Sequence, residues 1–185
     1  MDTADRLIES TRELLWERGY VGTSPKAIQQ RAEAGQGSMY HHFSGKPALA
    51  LAAIERTAEE MTGRAEAQFS AAGTAKERLL AYLRRSRDVL RGFPIGGLTQ
   101  DPDIMADPAL RAPVTSTLAW LRGRIAGLVA EGVAAGEFDA ALDPERTATA
   151  IVAVMQGGYV LARAADDAGL FEDAIAGILP LLGEH

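Results

Sequence analysis

The stretch TSPKAIQQRAEAGQGSMYHHFSGK, residues 23–46, decides how the N-terminal part of the chain folds. Ser24 followed by Pro25 is typical of a helix start, because the serine hydroxyl caps a free N–H and proline at the first helical position gives up no hydrogen bond. We expect this helix to be short and to end at about Ala32. The glycines of AGQGS then mark a break, after which SMYHHF has room for barely two further turns.

Upstream of this stretch, apolar residues recur at intervals of three and four, which predicts an amphipathic helix of about four turns. The residues in the pattern are Leu7, Ile8, Thr11, Leu14 and Leu15. The glycine of RGY, residues 18–20, supplies a helix end. A longer helix followed by two short helices that a tight turn joins has the layout of a helix-turn-helix unit.

The rest of the chain also reads as helices, and no segment is convincing as a strand. TAKE, residues 74–77, is a capping box, in which a threonine hydroxyl and a glutamate carboxylate satisfy free N–H groups at a helix start. The stretch 92–113 is rich in glycine, proline and aspartate, so we expect short helical pieces and turns there. Longer helices are predicted over residues 46–69, from the capping box to residue 90, and over residues 108–135, 144–168 and 171–182, with Asp143 as a cap.

Composition sets the outer limits on function. The 185 residues are 47% apolar, contain no cysteine and carry a formal net charge of −6. The first 50 residues hold six basic and six acidic side chains, so the acidic excess lies in the remainder of the chain. This asymmetry suggests two tasks, with the neutral part freer to approach phosphates.

We expect a soluble cytoplasmic protein and no membrane partner. The N-terminus lacks the basic start and the apolar run of a signal peptide. The longest uncharged run, residues 147–162, is shorter than the roughly 20 apolar residues that cross a bilayer.

The histidines of GQGSMYHHFSGK raise the question of a metal site or a catalytic cluster. His41 and His42 are adjacent, so on a helix they point about 100° apart and do not face one ion. No carboxylate or nucleophile lies at a spacing that would orient either ring. The chain also lacks a phosphate-binding loop and a metal-binding signature. We therefore predict neither an enzyme nor a metal or cofactor site.

The pattern LIESTRELLWERGYVGTSPKAIQQRAEAGQGSMYHHFSGKPAL, residues 7–49, resembles the DNA-binding domain of the TetR family of transcriptional repressors. The strongest elements of the resemblance are the Gly19-Tyr20 helix ending, the Thr23-Ser24 pair, and GSMYHHF followed by a lysine. The resemblance implies an all-α fold in which a three-helix helix-turn-helix DNA-binding domain precedes a larger helical domain.

The remainder of the chain resembles the family's ligand-binding and dimerising domain in helix count and in its ending, AAGEFDAALDPERTATAIVAVMQGGYVLARA. The implied division is therefore residues 1–47 for DNA binding and residues 48–185 for effector binding and dimerisation. The tract FPIGGLTQD is loosely similar to the subgroup that responds to small hydrophobic or aromatic compounds. Two positions depart from the family pattern: Glu33 replaces the usual glycine of the turn, and Gly35 replaces the usual serine or threonine cap.

The resemblance also implies roles for individual residues. Gln36 to Phe43 would be the recognition helix, whose N-terminal part enters the major groove. Gln36 would pair with adenine, while Gly37 and Ser38 permit close approach to the duplex. The residues implied to contact phosphates are Thr23, Ser24 and Lys26 from the second helix, together with Tyr40, His41 and Lys46.

Several of these residues have a structural alternative. Met39 and Phe43 are expected in the core of the three-helix unit, not on DNA. His42 is open between packing beside the long helix and contacting DNA. Lys26 is open between a solvated charge and a phosphate contact, which the start of a helix favours.

In the second domain, the helices over residues 108–135 and 144–168 resemble the pair that forms a four-helix bundle with its twin. Mid-helix glycines cost about 1 kcal/mol each, so a close helix contact would compensate for them, although packing within the chain is the alternative. The predicted dimer interface consists of Leu121, Ile125, Leu128, Ile151, Gly157 and Gly158. The predicted ligand pocket is lined by Met61, Phe69, Tyr82, Leu98, Met105, Trp120, Met155 and Tyr159, with Gln100, Gln156 or Arg87 as polar contacts.

The resemblance thus implies a sequence-specific regulator that binds an inverted-repeat operator as a homodimer. We expect a repressor that a small apolar or aromatic effector releases by shifting the helix after Lys46 and spreading the two recognition helices. Two alternatives stay open: a helical regulator without a small-molecule effector, and a carrier protein for a small molecule.

Overall fold

In the computed structural model, which describes residues 2–183, the chain forms ten α-helices and two short 3-10 helices, with no strand among those residues. The predicted all-α fold is confirmed. The helices are α1 (Thr3–Arg18), α2 (Pro25–Arg31), α3 (Gln36–His42), α4 (Lys46–Phe69), α5 (Ala75–Arg84), α6 (Pro94–Gly97), α7 (Pro102–Ala106), α8 (Pro108–Ala134), α9 (Pro144–Ala165) and α10 (Gly169–Ile178), and the 3-10 helices cover Leu98–Gln100 and Leu179–Leu182.

The helix starts depend on side-chain caps that the sequence predicts. The Ser24 hydroxyl accepts a hydrogen bond from a first-turn N–H of α2, and Pro25 occupies the first position. Thr74 and Glu77 form the predicted capping box of α5, with donor–acceptor distances of 2.9 and 3.1 Å. Asp143 caps α9 by accepting a hydrogen bond of 2.9 Å. These caps satisfy N–H groups that would otherwise have no partner.

The helix predicted to reach residue 90 ends earlier, at Arg84. The cause is Arg87, whose Nη1 atom donates hydrogen bonds of 2.8 Å to the carbonyl oxygens of Leu83 and Arg85. A longer helix would pair the Leu83 carbonyl with its own N–H groups, so the arginine replaces that continuation.

The C-terminal helices also differ from their predicted bounds. The helix predicted over residues 144–168 ends three residues earlier, because Asp166 adopts a left-handed conformation with a φ of +54°. The last predicted helix divides into α10 and the 3-10 helix that begins at Leu179. Helices α3, α4 and α8 lie within one residue of their predicted bounds.

The chain packs as two compact units. The first comprises Met1–Glu60 and Pro94–Thr117, although residue 1 lies outside the described part of the chain. Within it, α1 packs against α2, α3 and α6. Its core contains Leu7, Leu14, Ile28, Met39, Leu49, Ile54, Ile95, Ile104 and Val114, all buried.

The second unit comprises Met61–Phe93 and Leu118–His185, although residues 184 and 185 lie outside the described part of the chain. Helix α10 packs against α9 and α5. The core of this unit contains Phe69, Leu79, Tyr82, Leu121, Ile125, Val129, Ile151, Met155 and Phe171.

The predicted boundary after residue 47 falls inside α4, of which residues 46–60 pack in the first unit and residues 61–69 in the second. Residues 94–117, which the prediction placed in the second domain, pack with the first unit. The assignment of DNA binding to residues 1–47 and of effector binding to residues 48–185 stays a prediction.

Helix α9 is long and apolar enough to span a membrane by length and composition alone. The uncharged run of residues 147–162 underestimated the length of this apolar helix, because the helix extends beyond that run at both ends. One such helix is weak support for a membrane span, since a core helix of a soluble protein passes the same test. Ile151, Met155 and Ala162 of α9 are buried inside the second unit.

Candidate nucleic-acid interface

Helix α3 has one anchored residue and an exposed face. Met39 is completely buried, and its sulfur accepts a hydrogen bond of 3.4 Å from the Gln29 amide of α2. Gln36 and Gly37 are exposed at the start of the helix, and Tyr40 is 50% exposed one turn later. The prediction that Met39 belongs to the core is confirmed, and its burial fixes which face of α3 points outward.

The start of α3 is open to close approach. A Cβ atom built on Gly35 or Gly37 would meet no other atom within 4 Å. Gly35 is the N-cap residue and provides no side-chain hydrogen bond, while Ser38 is half-buried in the same turn. A neighbouring surface can therefore come near the backbone of this turn.

The end of α3 carries three rings. His41 and His42 are both exposed, with ring centroids 5.0 Å apart in an edge-to-face arrangement. Phe43 is half-buried, so its predicted place in the core is only partial. Across residues 2–183, no group of three or more histidine, aspartate or glutamate side chains could hold a metal ion.

The predicted phosphate contacts of α2 differ in exposure. Ser24 and Lys26 are exposed. Thr23 is 2% exposed, and its hydroxyl donates a hydrogen bond of 2.7 Å to the Gly19 carbonyl oxygen. In this conformation the Thr23 side chain presents no surface to a ligand, so the predicted phosphate contact does not fit it.

The turn between α2 and α3 contains the residue that departs from the family pattern. Glu33 adopts a φ of +50°, a left-handed conformation that favours glycine. Its N–H donates to the Gln30 carbonyl oxygen, and the Ala34 N–H donates to the Gln29 carbonyl oxygen. This pair of bonds is a Schellman motif, which needs a left-handed residue at the position of Glu33. The glycine usual in the family would satisfy this backbone requirement without strain.

Lys46, at the start of α4, lies over the ring of Tyr20. Its Nζ atom is 3.8 Å from the ring centroid, within the range of a cation–π interaction. Burial lowers the pKa of Lys46 below its ordinary value, although Asp101 and Asp103 oppose this shift. Lys46 is half-buried, so it serves the packing of the unit while one part of its side chain stays accessible.

Asp101 connects two distant parts of the first unit and was not a predicted site residue. Its Oδ2 atom accepts hydrogen bonds from the Tyr20 and Val21 N–H groups at 2.7 and 3.0 Å. Its Oδ1 atom accepts from the Asp103 and Ile104 N–H groups at 3.1 and 3.3 Å, which caps α7. The sequence Asp101-Pro102 signals the cap, but nothing local signals a partner 81 residues away.

Ion pairs hold the neighbouring helices in register. Arg31 of α2 makes a bidentate pair with Glu17 of α1, at 2.8 and 2.9 Å. Arg12 of α1 contacts both Glu9 and Glu60, and the distances to Glu60 in α4 are 2.7 and 2.6 Å. Bidentate pairs restrict geometry more than single contacts do, so α2 and α4 are each tied to α1.

The predicted pocket residues are divided between the two units. Leu98, Gln100 and Met105 belong to the first unit, and the others belong to the second. Phe69, Tyr82 and Trp120 form an aromatic cluster, in which the Phe69 ring centroid lies 4.6 Å from that of Tyr82 and 6.3 Å from that of Trp120. Phe69, Tyr82 and Met155 are at most 1% exposed, which makes them core residues, and Met61 is half-buried.

Tyr159 and Gln156 lie on the same helix, α9. The Tyr159 ring packs between Phe93 and Phe171, at centroid distances of 5.7 and 4.6 Å. Burial raises the pKa of Tyr159 to about 12. The Nε2 atom of Gln156 is buried and has no hydrogen-bond partner in the described part of the chain.

The predicted dimer residues separate into two groups. Leu121, Ile125, Leu128 and Ile151 are at most 3% exposed inside the single chain, so they belong to its core and have little surface to offer a partner, and their place at a dimer interface stays a prediction. Gly158 faces Phe171, whose ring would lie 3.0 Å from an added Cβ atom.

Gly157 is exposed and has open space around it. The neighbouring apolar side chains Val160 and Leu161 are 65% and 56% exposed. The face of α9 that remains free is therefore the one that carries Gly157, and it points away from Ile151 and Gly158.

Comparisons with known proteins agree with this architecture. Residues 7–53 match the family described as bacterial regulatory proteins, tetR family, and residues 75–178 match the one described as tetracyclin repressor-like, C-terminal domain. The transcriptional regulator AcuR of Cereibacter sphaeroides is 29% identical over 164 residues, which cover 85% of this chain and 74% of AcuR. The HTH-type transcriptional repressor NemR of Escherichia coli K12 is 31% identical over 86 residues, which cover 46% of this chain and 43% of NemR.

A solved structure extends the comparison to three dimensions. The TetR transcriptional regulator from Chloroflexus aurantiacus has a TM-score of 0.85 and 27% identity, over 99% of this chain and 95% of that chain. These relatives are transcriptional regulators and not enzymes, in agreement with the prediction.

Proposed function

The chain belongs to the tetR family of bacterial regulatory proteins and is a DNA-binding transcriptional regulator, and we propose that it acts as a homodimeric repressor released from its operator by a small molecule. The observation that carries the proposal is the exposed face of α3, which the burial of Met39 holds outward. The proposed place of action is the cytoplasm.

Sequence recognition is assigned to the first turn of α3. Gln36 is exposed there and can hydrogen-bond both N6 and N7 of an adenine in the major groove. Gly37 leaves space for the duplex backbone to approach. Tyr40, His41, Ser24 and Lys26 are exposed polar groups suited to phosphate oxygens, which position the helix without reading sequence.

The homodimer is assigned to the exposed apolar face of α9 together with the small-residue face of α8. Val160 and Leu161 expose apolar surface, and Gly157 permits close approach. On α8, Gly123 and Gly127 are exposed with no atom within 4 Å of an added Cβ. Two such helices from each copy would form a four-helix bundle, and a two-fold dimer matches an operator with two half-sites.

Release by an effector requires a ligand that binds the DNA-incompetent state more tightly than the DNA-bound state. Helix α4 contributes residues to both compact units, which gives a covalent route between ligand and DNA surface. In the first unit, Asp101 ties the α6–α7 segment to the end of α1, so that segment can transmit a displacement to the helix-turn-helix.

The first experiment is selection of bound duplexes from a random DNA pool by the purified protein at about 0.15 M salt, where binding through phosphates alone is weakened. We expect an inverted repeat. Recovery of no preferred sequence by folded protein would refute the repressor assignment and favour a carrier protein instead.

Variants then test the contacts on the selected operator. Gln36→Ala should change base preference at one position of each half-site, whereas Gln100→Ala, an exposed glutamine outside the helix-turn-helix, should not. Lys26→Ala should weaken binding to all sequences and reduce the salt slope by about 1. An unchanged preferred sequence with Gln36→Ala would contradict the base-reading role.

A further inference from the structure

We infer that the second unit contains a binding site for a small organic anion, a carboxylate on an apolar chain or ring, between the end of α5 and helix α10. A cavity of about 510 Å³ lies there. This size is within the range of roughly 300 to 1,000 Å³ for ligand sites. Its identification as the effector site rests on the proposed function, whereas the binding site itself does not.

The charged side of the cavity is formed by the sequence RRSR, residues 84–87. Arg84, Arg85 and Arg87 all line it, and the single acidic residue among the lining residues is Glu172. Three arginines against one glutamate leave the cavity with a formal charge of +2. Within the described residues, neither Arg85 nor Arg87 forms an ion pair with a carboxylate.

The Nε atoms of both arginines are buried and have no hydrogen-bond partner in the described part of the chain. The terminal nitrogens of Arg87 are occupied by backbone carbonyl oxygens, including those of Leu83 and Arg85. Arg85 instead lies over the Tyr82 ring, with its guanidinium carbon 4.6 Å from the ring centroid. The two terminal nitrogens of an arginine can bind a carboxylate bidentately, and these are the Arg85 atoms assigned to the ligand, because the buried Nε atom is not reachable in this conformation.

The two guanidinium groups approach the same aromatic ring, that of Tyr82. The guanidinium carbon of Arg87 lies 5.2 Å from the Tyr82 ring centroid and 5.5 Å from that of Phe171. Burial lowers the pKa of Arg87, and the positive charge of Arg85 adds to this shift. Buried like charges destabilise the folded state, and a bound anion would relieve that cost.

The cavity also has an apolar lining. It consists of Leu83, Val89, Phe171, Ile175 and Leu179, of which the first four are buried. A ligand that fits both kinds of lining must combine a negative head group with an apolar body. An uncharged apolar molecule would leave the arginines unpaired, and a hydrophilic anion would leave the apolar wall uncovered.

The test is calorimetric titration of the full-length protein, without DNA, with three probes of equal chain length: sodium octanoate, 1-octanol and octylammonium chloride. We expect octanoate to bind at least about tenfold more tightly than either of the others, because only the carboxylate pairs with the guanidinium fork. Equal binding of octanol and octanoate, or no binding of octanoate at millimolar concentration, would overturn the inference.

Variants locate the site. Arg85→Gln should weaken octanoate binding at least about tenfold while leaving the fold intact, since the Arg85 carbonyl oxygen, which accepts from Arg87, is kept in the variant. Glu172→Gln should tighten binding by removing the one negative charge of the lining. Arg146→Gln, the same charge change at a side chain that is 89% exposed, is the matched control and should leave binding unchanged. Wild-type affinity in Arg85→Gln would refute the site.

A second measurement tests the regulatory role separately from binding: octanoate is added to the protein bound to its selected operator. Release of DNA supports an effector site. Binding of octanoate without release refutes the regulatory role and leaves the anion site standing. Failure of the unliganded protein to select any DNA refutes the proposed repressor, and the calorimetric result then stands by itself.

Discussion

Replacing Asp101 with alanine removes one carboxylate that serves two purposes. Oδ1 caps α7, and Oδ2 holds the Tyr20 and Val21 N–H groups that follow α1. The side chain is 8% exposed, so water cannot fully replace it. We therefore expect a larger loss of stability than the loss of an exposed helix cap.

The magnitude follows from the two groups of bonds. Loss of an N-cap costs about 1 kcal/mol. A hydrogen bond to a charged group contributes roughly 1.5–3 kcal/mol, and the Tyr20 N–H is left buried without its partner. Because neighbouring effects do not add fully, we expect Asp101→Ala to lower the free energy of unfolding by about 3–5 kcal/mol.

Asp143→Ala is the matched control, because Asp143 caps α9 by accepting from an exposed first-turn N–H and its ion pair with Arg146 is also exposed. It should cost about 1 kcal/mol. Urea denaturation followed by circular dichroism, at one protein concentration for all variants, measures both free energies. If Asp101→Ala loses no more stability than Asp143→Ala, the bonds to the end of α1 do not contribute as argued.

Three further predictions concern single sites. Glu33→Gly should stabilise the protein by about 1 kcal/mol and tighten operator binding, because glycine adopts the left-handed backbone without strain. Glu33→Gln should tighten binding through the lost charge without relieving the backbone. Equal stabilisation by both variants in urea denaturation would rule out strain at this position. Gly132→Ala should lower the free energy of unfolding by about 1–3 kcal/mol, because the added Cβ atom would lie 2.3 Å from the buried Phe138 ring. Gly63→Ala, at a glycine in open space, is the control and should raise that free energy by up to about 1 kcal/mol. The reverse order in urea denaturation would contradict the packing. The free energy of unfolding should fall between about pH 10 and pH 12, by roughly 2–3 kcal/mol at most. The reason is that the Tyr159 phenol ionises near its ordinary pKa of about 10 in the unfolded chain, whereas in the folded protein it stays protonated to about 12. Tyrosinate absorbance follows the ionisation in both states, and Tyr159→Phe should remove this part of the loss.

Local chemistry made the helix starts predictable. Ser24 before Pro25 and the capping box at Thr74 act through bonds within one turn, so their residue types suffice. The end of α5 was not predictable in the same way, because it depends on the Arg87 side chain folding back onto carbonyl oxygens, and arginine has no strong local signature for that geometry.

Burial was predictable, but the partner that covers a buried face was not. Apolar periodicity marks Ile125 and Ile151 as inward-facing, and the structure buries both inside one chain. A periodic pattern does not distinguish a partner subunit from the chain's own core, and it was the resemblance of the two long helices to the family's bundle pair that placed these residues at a dimer interface. Long-range contacts such as that of Asp101 with Tyr20 cannot be predicted for a similar reason, because no local sequence pattern at either residue indicates the other.

The burial of the arginine cluster at residues 84–87 also differs from what the sequence suggests. A run of arginines is usually solvated, and only Arg87 among them was considered as a polar contact of a pocket. The structure buries the Nε atoms of Arg85 and Arg87, and composition does not reveal that burial.

The left-handed Glu33 has a consequence for how this regulator can evolve. Every glutamate codon becomes a glycine codon through a single base change, so the residue that fits the Schellman turn best is one mutation away. Such a mutation would relieve the backbone of the turn before α3 and remove an acidic group near that helix, with Gln36 and Tyr40 unchanged. If the proposed base-reading role is correct, one base substitution would raise operator occupancy without changing the sequence that the protein prefers.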